Sequence, residues 1–217
     1  MRAEESLTGN QEIAARRVVA RTQTLFFVIL FGCVLVSHSP VAQRDGISFY
    51  AVNARTIALA FVGYLVAAVG LWRLSQIFLA VNEERLVWSA LRVVAIMLVV
   101  LLATPFNKGT FLNWAHMVAG AAGALAQLAL GWRLGTRTRE VKAWGALAAM
   151  LAGGVLAALS LPDWRFTALL EGEIILEIGF AWCVWEWTKV LAAVPAPTTS
   201  GRASARESPL RRGPSRR

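Results

Sequence analysis

The sequence predicts an all-α fold, a polytopic transmembrane bundle of six helices with the N- and C-termini cytoplasmic. Three observations carry this. The 217-residue chain is 57% apolar and 16% charged, with its charges set between long apolar runs, the composition of a multi-pass membrane protein. Six of those runs are long enough, or nearly so, for the roughly 20 residues that a crossing helix needs. Basic residues also concentrate on alternate connections. Lipid offers no water to open backbone groups, and the alternating ten-residue segments of a barrel are absent, so the runs must be helices.

The first run, 24–41, follows Arg16, Arg17 and Arg21. Its LFFVILFGCVLV core has the look of a secretory signal, but no small-x-small cleavage site follows, and Pro40 stands after Ser39; an uncleaved first span is expected. The second, 55–72, is expected to extend past Arg73 through LSQIFLAV along the inner interface. In the third, 87–104, Arg92 lies one turn past Trp88, within snorkelling distance of the boundary. The fourth, 114–132, carries His116, Gly120, Gly123 and Gln127 on one stripe. The fifth, 143–161, repeats Gly145, Ala149, Gly153 and Ala157 at every fourth position, a pattern that lets helix backbones approach closely. The sixth, 169–190, contains LLEGEIILEIGFAWCVWEW. Pro40, Pro105 and Pro162 sit at run ends, where they terminate helices rather than break them. The chain thus divides into an N-terminal cytoplasmic segment (1–23), the transmembrane domain (24–193) and a Pro/Ser/Arg tail of disordered composition (194–217).

Orientation follows from the basic residues. With six spans, 17 of the 22 lysines and arginines fall on the side of the termini and four (Arg44, Arg55, Lys108, Arg165) on the other, with Arg92 just inside a span. The positive-inside rule places both ends in the cytoplasm. Trp72, Trp88, Trp132, Trp144, Trp185 and Trp187 are expected at the inner interface, and Trp114 and Trp164 at the outer one. The net charge of +9 is then topological and gives no reason to expect nucleic-acid binding. Membrane lipids are the expected partners, and the small-residue faces also suit a second copy or another membrane protein. Cys33 and Cys183 lie within spans, as packing residues rather than a disulfide. Arginine outnumbers lysine 19 to 3, which suggests a GC-rich bacterial genome and hence the plasma (inner) membrane.

Four glutamates, Glu171, Glu173, Glu177 and Glu186, stand in the sixth run. A carboxylate in hydrocarbon costs several kcal/mol unless it is paired, protonated or wet. Glu186 lies three residues before Lys189 and is expected to pair with it. Counted from Leu169, Glu173 is about 6 Å and Glu177 about 12 Å below the outer boundary, on one face. His38 and His116 fall at similar depth. The expected site is an outer-leaflet polar pocket lined by His38, His116, Glu173 and Glu177, with Arg55 and Lys108 above it. Three uses compete. The carboxylates could pair with Arg55, Lys108 or Arg165, or bond to His116, and join helices. The layer could bind a lipid head group or small polar ligand. Two histidines and two carboxylates could instead form a metal site or an acid/base pair in a membrane-embedded hydrolase or lipid-modifying enzyme. No HExxH, GxSxG or paired-aspartate motif is present, and no cofactor is implied. Non-enzymatic binding or scaffolding is the primary expectation, with the enzyme as alternative.

Two further segments carry a resemblance. The loop into span two, DGISFYAVNART, and the TPFNKGTFLNWAH segment leading into span four resemble the DRAM-like (Frag/DRAM/Sfk) group and its bacterial relatives over spans one to four. The resemblance implies the six-span architecture and draws attention to Ser48, Pro105, Phe106 and His116. It implies no catalytic residue, and the acidic sixth span has no counterpart in it.

Overall fold

A computed structural model describes residues 2–80, 84–161 and 167–192; the expectations for Pro162, Asp163, Trp164, Arg165 and the basic tail lie outside them. The described chain consists of α1 (Arg2–Ser37), α2 (Pro40–Asp45), a 3-10 helix (Ile47–Ala51), α3 (Ile57–Ala80), α4 (Arg85–Ala103), α5 (Thr110–Thr138), α6 (Val141–Leu159) and α7 (Leu169–Ala192). Five helices, α1 and α3 to α6, are long and apolar enough to cross a membrane. α7 has the length, 24 residues or about 36 Å, but its glutamates set it apart from the others.

The long helices form a ring. α1 packs on α3, α3 on α4, α4 on α5, α5 on α6, α6 on α7, and α7 returns to α1. Short connections make successive members antiparallel. One end of the ring therefore carries α2 and the 3-10 helix, and the other carries the two ends of the described chain. Apolar side chains such as Phe31, Leu35, Val62, Leu125 and Val155 face outward and exposed, as a lipid-facing surface requires.

Both ends of α1 and the setting of the α3 extension differ from the sequence expectation. α1 begins at Arg2, well before the apolar run, because Ala15 and Val19 on that extension are buried in the core. A Glu12–Arg16 ion pair of 2.6 Å, one turn apart, supports it. At its other end α1 stops at Ser37 rather than 41, and Pro40 opens α2, where Ser39 caps the new helix by accepting from the Ala42 amide at 3.3 Å. α3 does continue past Arg73, but Leu74, Ser75 and Phe78 are buried there, so the extension is core rather than an interfacial strip.

Tryptophan divides into two roles. Trp72, Trp114, Trp132 and Trp144 are exposed on the ring, as an interface belt requires. Trp187 is 1% exposed, edge-on to Phe78 at 6.4 Å, with its indole N–H donating to the Leu130 carbonyl at 3.3 Å. It is a core residue, contrary to the expectation, because α7 turns this face inward. Arg92 lies over Trp72 (5.3 Å) and Trp88 (4.7 Å), so its charge rests on aromatic faces near the boundary.

The tightest contact is α6 on α7. A side chain at Gly153 would strike the backbone of Gly172, Ile175 and Leu176, and one at Gly172 would strike Gly153 and Ala157. At Gly153 and Ala157 the predicted small-residue stripe on α6 thus meets Gly172 on α7, whereas Gly145 meets the Trp182 ring. On α5, His116, Gly123 and Gln127 face the interior as expected, whereas Gly120 faces open space.

Candidate functional site at the α2 end

The chain between α1 and α3 folds back on the bundle, and two residues of the ring hold it there. Gly46 joins α2 to the 3-10 helix with φ 71°, and the Glu173 carboxylate occupies the space where a side chain at Gly46 would go. Only glycine meets both demands. Glu173 Oε2 then accepts the Ile47 backbone N–H at 2.5 Å. One residue on, Ser48 Oγ lies 2.7 Å from His116 Nε2. His116 Nδ1 lies 2.8 Å from the Thr104 carbonyl oxygen at the end of α4. A carbonyl only accepts, so in the neutral imidazole Nδ1 carries the hydrogen and Nε2 accepts from the Ser48 hydroxyl. The Phe106 ring, 5.7 Å away, lies against the imidazole, and the Tyr64 phenol approaches Ser48 from α3.

One turn deeper on α7, Glu177 Oε1 accepts from Gln127 Nε2 of α5 at 2.9 Å. The fold-back is braced further by Asn53 donating to Ser37 Oγ at 3.0 Å and by Thr56 donating to the Tyr50 carbonyl at 3.0 Å. Tyr50 itself is fully buried. Its hydroxyl, Gln127 Oε1 and Glu171 Oε2 are buried with no hydrogen-bond partner among the described residues. Burial pushes the Tyr50 phenol up, and the neighbouring Cys33 and the Glu171 carboxylate push it the same way, so the hydroxyl keeps its proton.

The sequence-predicted residues therefore separate. His116, Glu173 and Glu177 share this end of the bundle, and the first two bind consecutive residues of one segment. His38, Arg55 and Lys108 are exposed and make none of these contacts. Glu173 accepts from the Ile47 amide and Glu177 from Gln127, not from Arg55, Lys108 or His116, because the fold-back brings a backbone N–H onto the Glu173 carboxylate. Among the described residues no three His, Cys, Asp or Glu side chains converge as a metal ligand set. Glu186 pairs with Lys189 at 2.6 Å as expected, and Cys33 and Cys183 are buried free thiols.

Gly46 and Tyr64 escaped sequence reasoning, whereas Tyr50 is expected in the loop above the polar layer. The glycine inside DGISFY is the available signal for a fold-back turn; nothing local marks Tyr64. The void beside Tyr50 and Tyr64 measures about 10 Å³, the room of a single water. A larger groove of about 320 Å³ opens at the opposite end, between Leu134, Arg137, Glu140, Glu186 and Lys189.

No family model matches this chain, and no curated protein or solved structure is significantly similar to it.

Proposed function

We propose that this chain is a six-span protein of a bacterial plasma membrane, with both termini cytoplasmic, that binds a lipid head group or small polar molecule at the outer end of its bundle. α7 is the sixth span: its length suits a crossing, and it closes the ring between α6 and α1. The distribution of basic residues, 17 against four, supports the orientation.

The observation that carries the binding reading is the pair of unpartnered atoms, Tyr50 Oη and Glu171 Oε2. They lie close enough for the carboxylate's charge to bear on the phenol. Buried polar atoms are rarely left without partners. A hydroxyl group would accept from Tyr50 or donate to Glu171, and an ammonium group would donate to the Glu171 carboxylate. The void lined by Tyr50 is only about 10 Å³ and does not reach Glu171, so the body of such a molecule would lie along the exposed apolar surface.

The test is native mass spectrometry of the protein released from nanodiscs of phosphatidylethanolamine and phosphatidylglycerol. One retained lipid is expected, lost in Tyr50→Phe and Glu171→Gln at unchanged melting temperature. A folded wild-type protein that retains none would favour a scaffold role instead. That role fits the use Glu173 and His116 make of their hydrogen bonds, which go to the chain's own 3-10 segment.

A further inference from the structure

We propose that Ser48 and His116 form a nucleophile–base pair that cleaves an acyl ester of a membrane lipid. The inference goes beyond the binding reading and stands on different atoms. Its first support is distance and direction. Ser48 Oγ is 2.7 Å from His116 Nε2, inside the range that lets a general base take a hydroxyl proton. Its second support is the far side of the ring. The Thr104 carbonyl, 2.8 Å from Nδ1, holds the hydrogen on that nitrogen and leaves the Nε2 lone pair aimed at Ser48. A third group orienting the base is the arrangement that activates a serine.

The surroundings fit a lipid ester. Ser48 is partly exposed, on the 3-10 helix rather than inside a span. The first turns of α5, which carries His116, expose Phe111 (82%) and Trp114 (66%), an apolar approach for an acyl chain. The nearby void is far too small to enclose such a chain, so it would lie along that outer face. Glu173 is a positioning residue. Its bond to the Ile47 amide fixes the residue that precedes the nucleophile.

The chemistry balances with water as co-reactant. Ser48 Oγ adds to the ester carbonyl carbon as its proton passes to His116 Nε2. The bond from that carbon to the alkoxy oxygen breaks, and His116 returns the proton to the departing alcohol. Water then adds to the acyl-Ser48 ester and gives a proton to His116. The carbon–Oγ bond breaks, the fatty acid leaves, and Ser48 regains its hydrogen.

A fluorophosphonate probe tests this, with the full chain in nanodiscs and the adduct located by peptide mass spectrometry. One adduct on Ser48 is expected, absent in Ser48→Ala and formed about 100-fold more slowly in His116→Gln, with the melting temperature of each variant measured alongside. Should His116→Gln fail to fold, the wild-type protein provides the same readout, because adduct formation must fall in acid as the imidazole takes up a proton. A folded wild-type protein without a Ser48 adduct overturns the proposal. So does an unchanged rate in folded His116→Gln, or a rate that is flat in acid. Retained lipid is measured separately through Tyr50→Phe, so either reading can fail without the other.

Discussion

The Glu173 carboxylate on α7 and the Ile47 amide, 126 residues earlier, share a hydrogen bond of 2.5 Å. It joins the last long helix of the ring to the short segment that closes one of its ends. An acidic side chain within an apolar helix thus serves a backbone donor that would otherwise be buried unpartnered.

Replacing this carboxylate separates charge from hydrogen bonding. Glu173→Gln keeps an oxygen that can accept from Ile47 and should cost under about 1 kcal/mol, in line with polar contacts in membranes. Glu173→Ala leaves the amide without a partner and should cost about 1–3 kcal/mol. Thermal unfolding in detergent, with hydrogen exchange at the Ile47 amide, reads both. Equal losses would mean that the negative charge itself matters.

Gly46→Ala meets two penalties, a φ of 71° and the Glu173 carboxylate in its path. We expect a loss of about 1–3 kcal/mol from backbone strain alone, with more from the clash. Gly109→Ala is the control, since its φ of 122° is also strained but its surroundings are open. A Gly109 variant as damaging as the Gly46 variant would remove the role given to the carboxylate.

The α6–α7 contact should be intolerant of side chains. Gly153→Val or Gly172→Val would drive two backbones apart and is expected to cost about 1–3 kcal/mol or more. Gly154→Val, where nothing lies within 4 Å, should be nearly neutral. Melting temperatures of the three variants decide, and a sensitive Gly154 would contradict the packing described here.

Tyr50 gives a dependence on pH. Its phenol is raised by burial, then by Cys33 and Glu171, so the folded chain holds this proton more tightly than the unfolded one. Its contribution is complete below the unfolded value of about 10 and is lost as pH rises through the folded value. Melting curves at increasing alkaline pH should therefore fall less steeply for Tyr50→Phe than for the wild-type protein. Parallel curves would mean that the hydroxyl is solvated.

Legibility of the site in the sequence was uneven, and particular residues show why. Glu186 and Lys189 were predictable because three residues along a helix bring two side chains together whatever surrounds them. The α6 stripe of Gly145 to Ala157 is visible as a period, but its partner Gly172 is not, since α7 displays its glutamates more loudly than its glycines. Hydropathy places His116 near the end of its span, yet its partner Ser48 is 68 residues away, and no spacing reports that. Arg55 and Lys108 were attractive as counter-charges only because opposite charge is the partner a sequence makes easiest to see.

The sequence by itself determined that this is a helical membrane protein, where five of its apolar helices run, and which local pairs they contain. Hydropathy and helical spacing are properties of neighbouring residues, and lipid leaves such runs no other backbone structure. Only the tertiary structure decided which group answers each buried carboxylate, that Trp187 belongs to the core, and that Ser48 meets His116. A polar atom's partner depends on how the ring closes and where the α1–α3 segment folds back. Residues that share a helix face can be counted from spacing, but the neighbour that face will meet cannot.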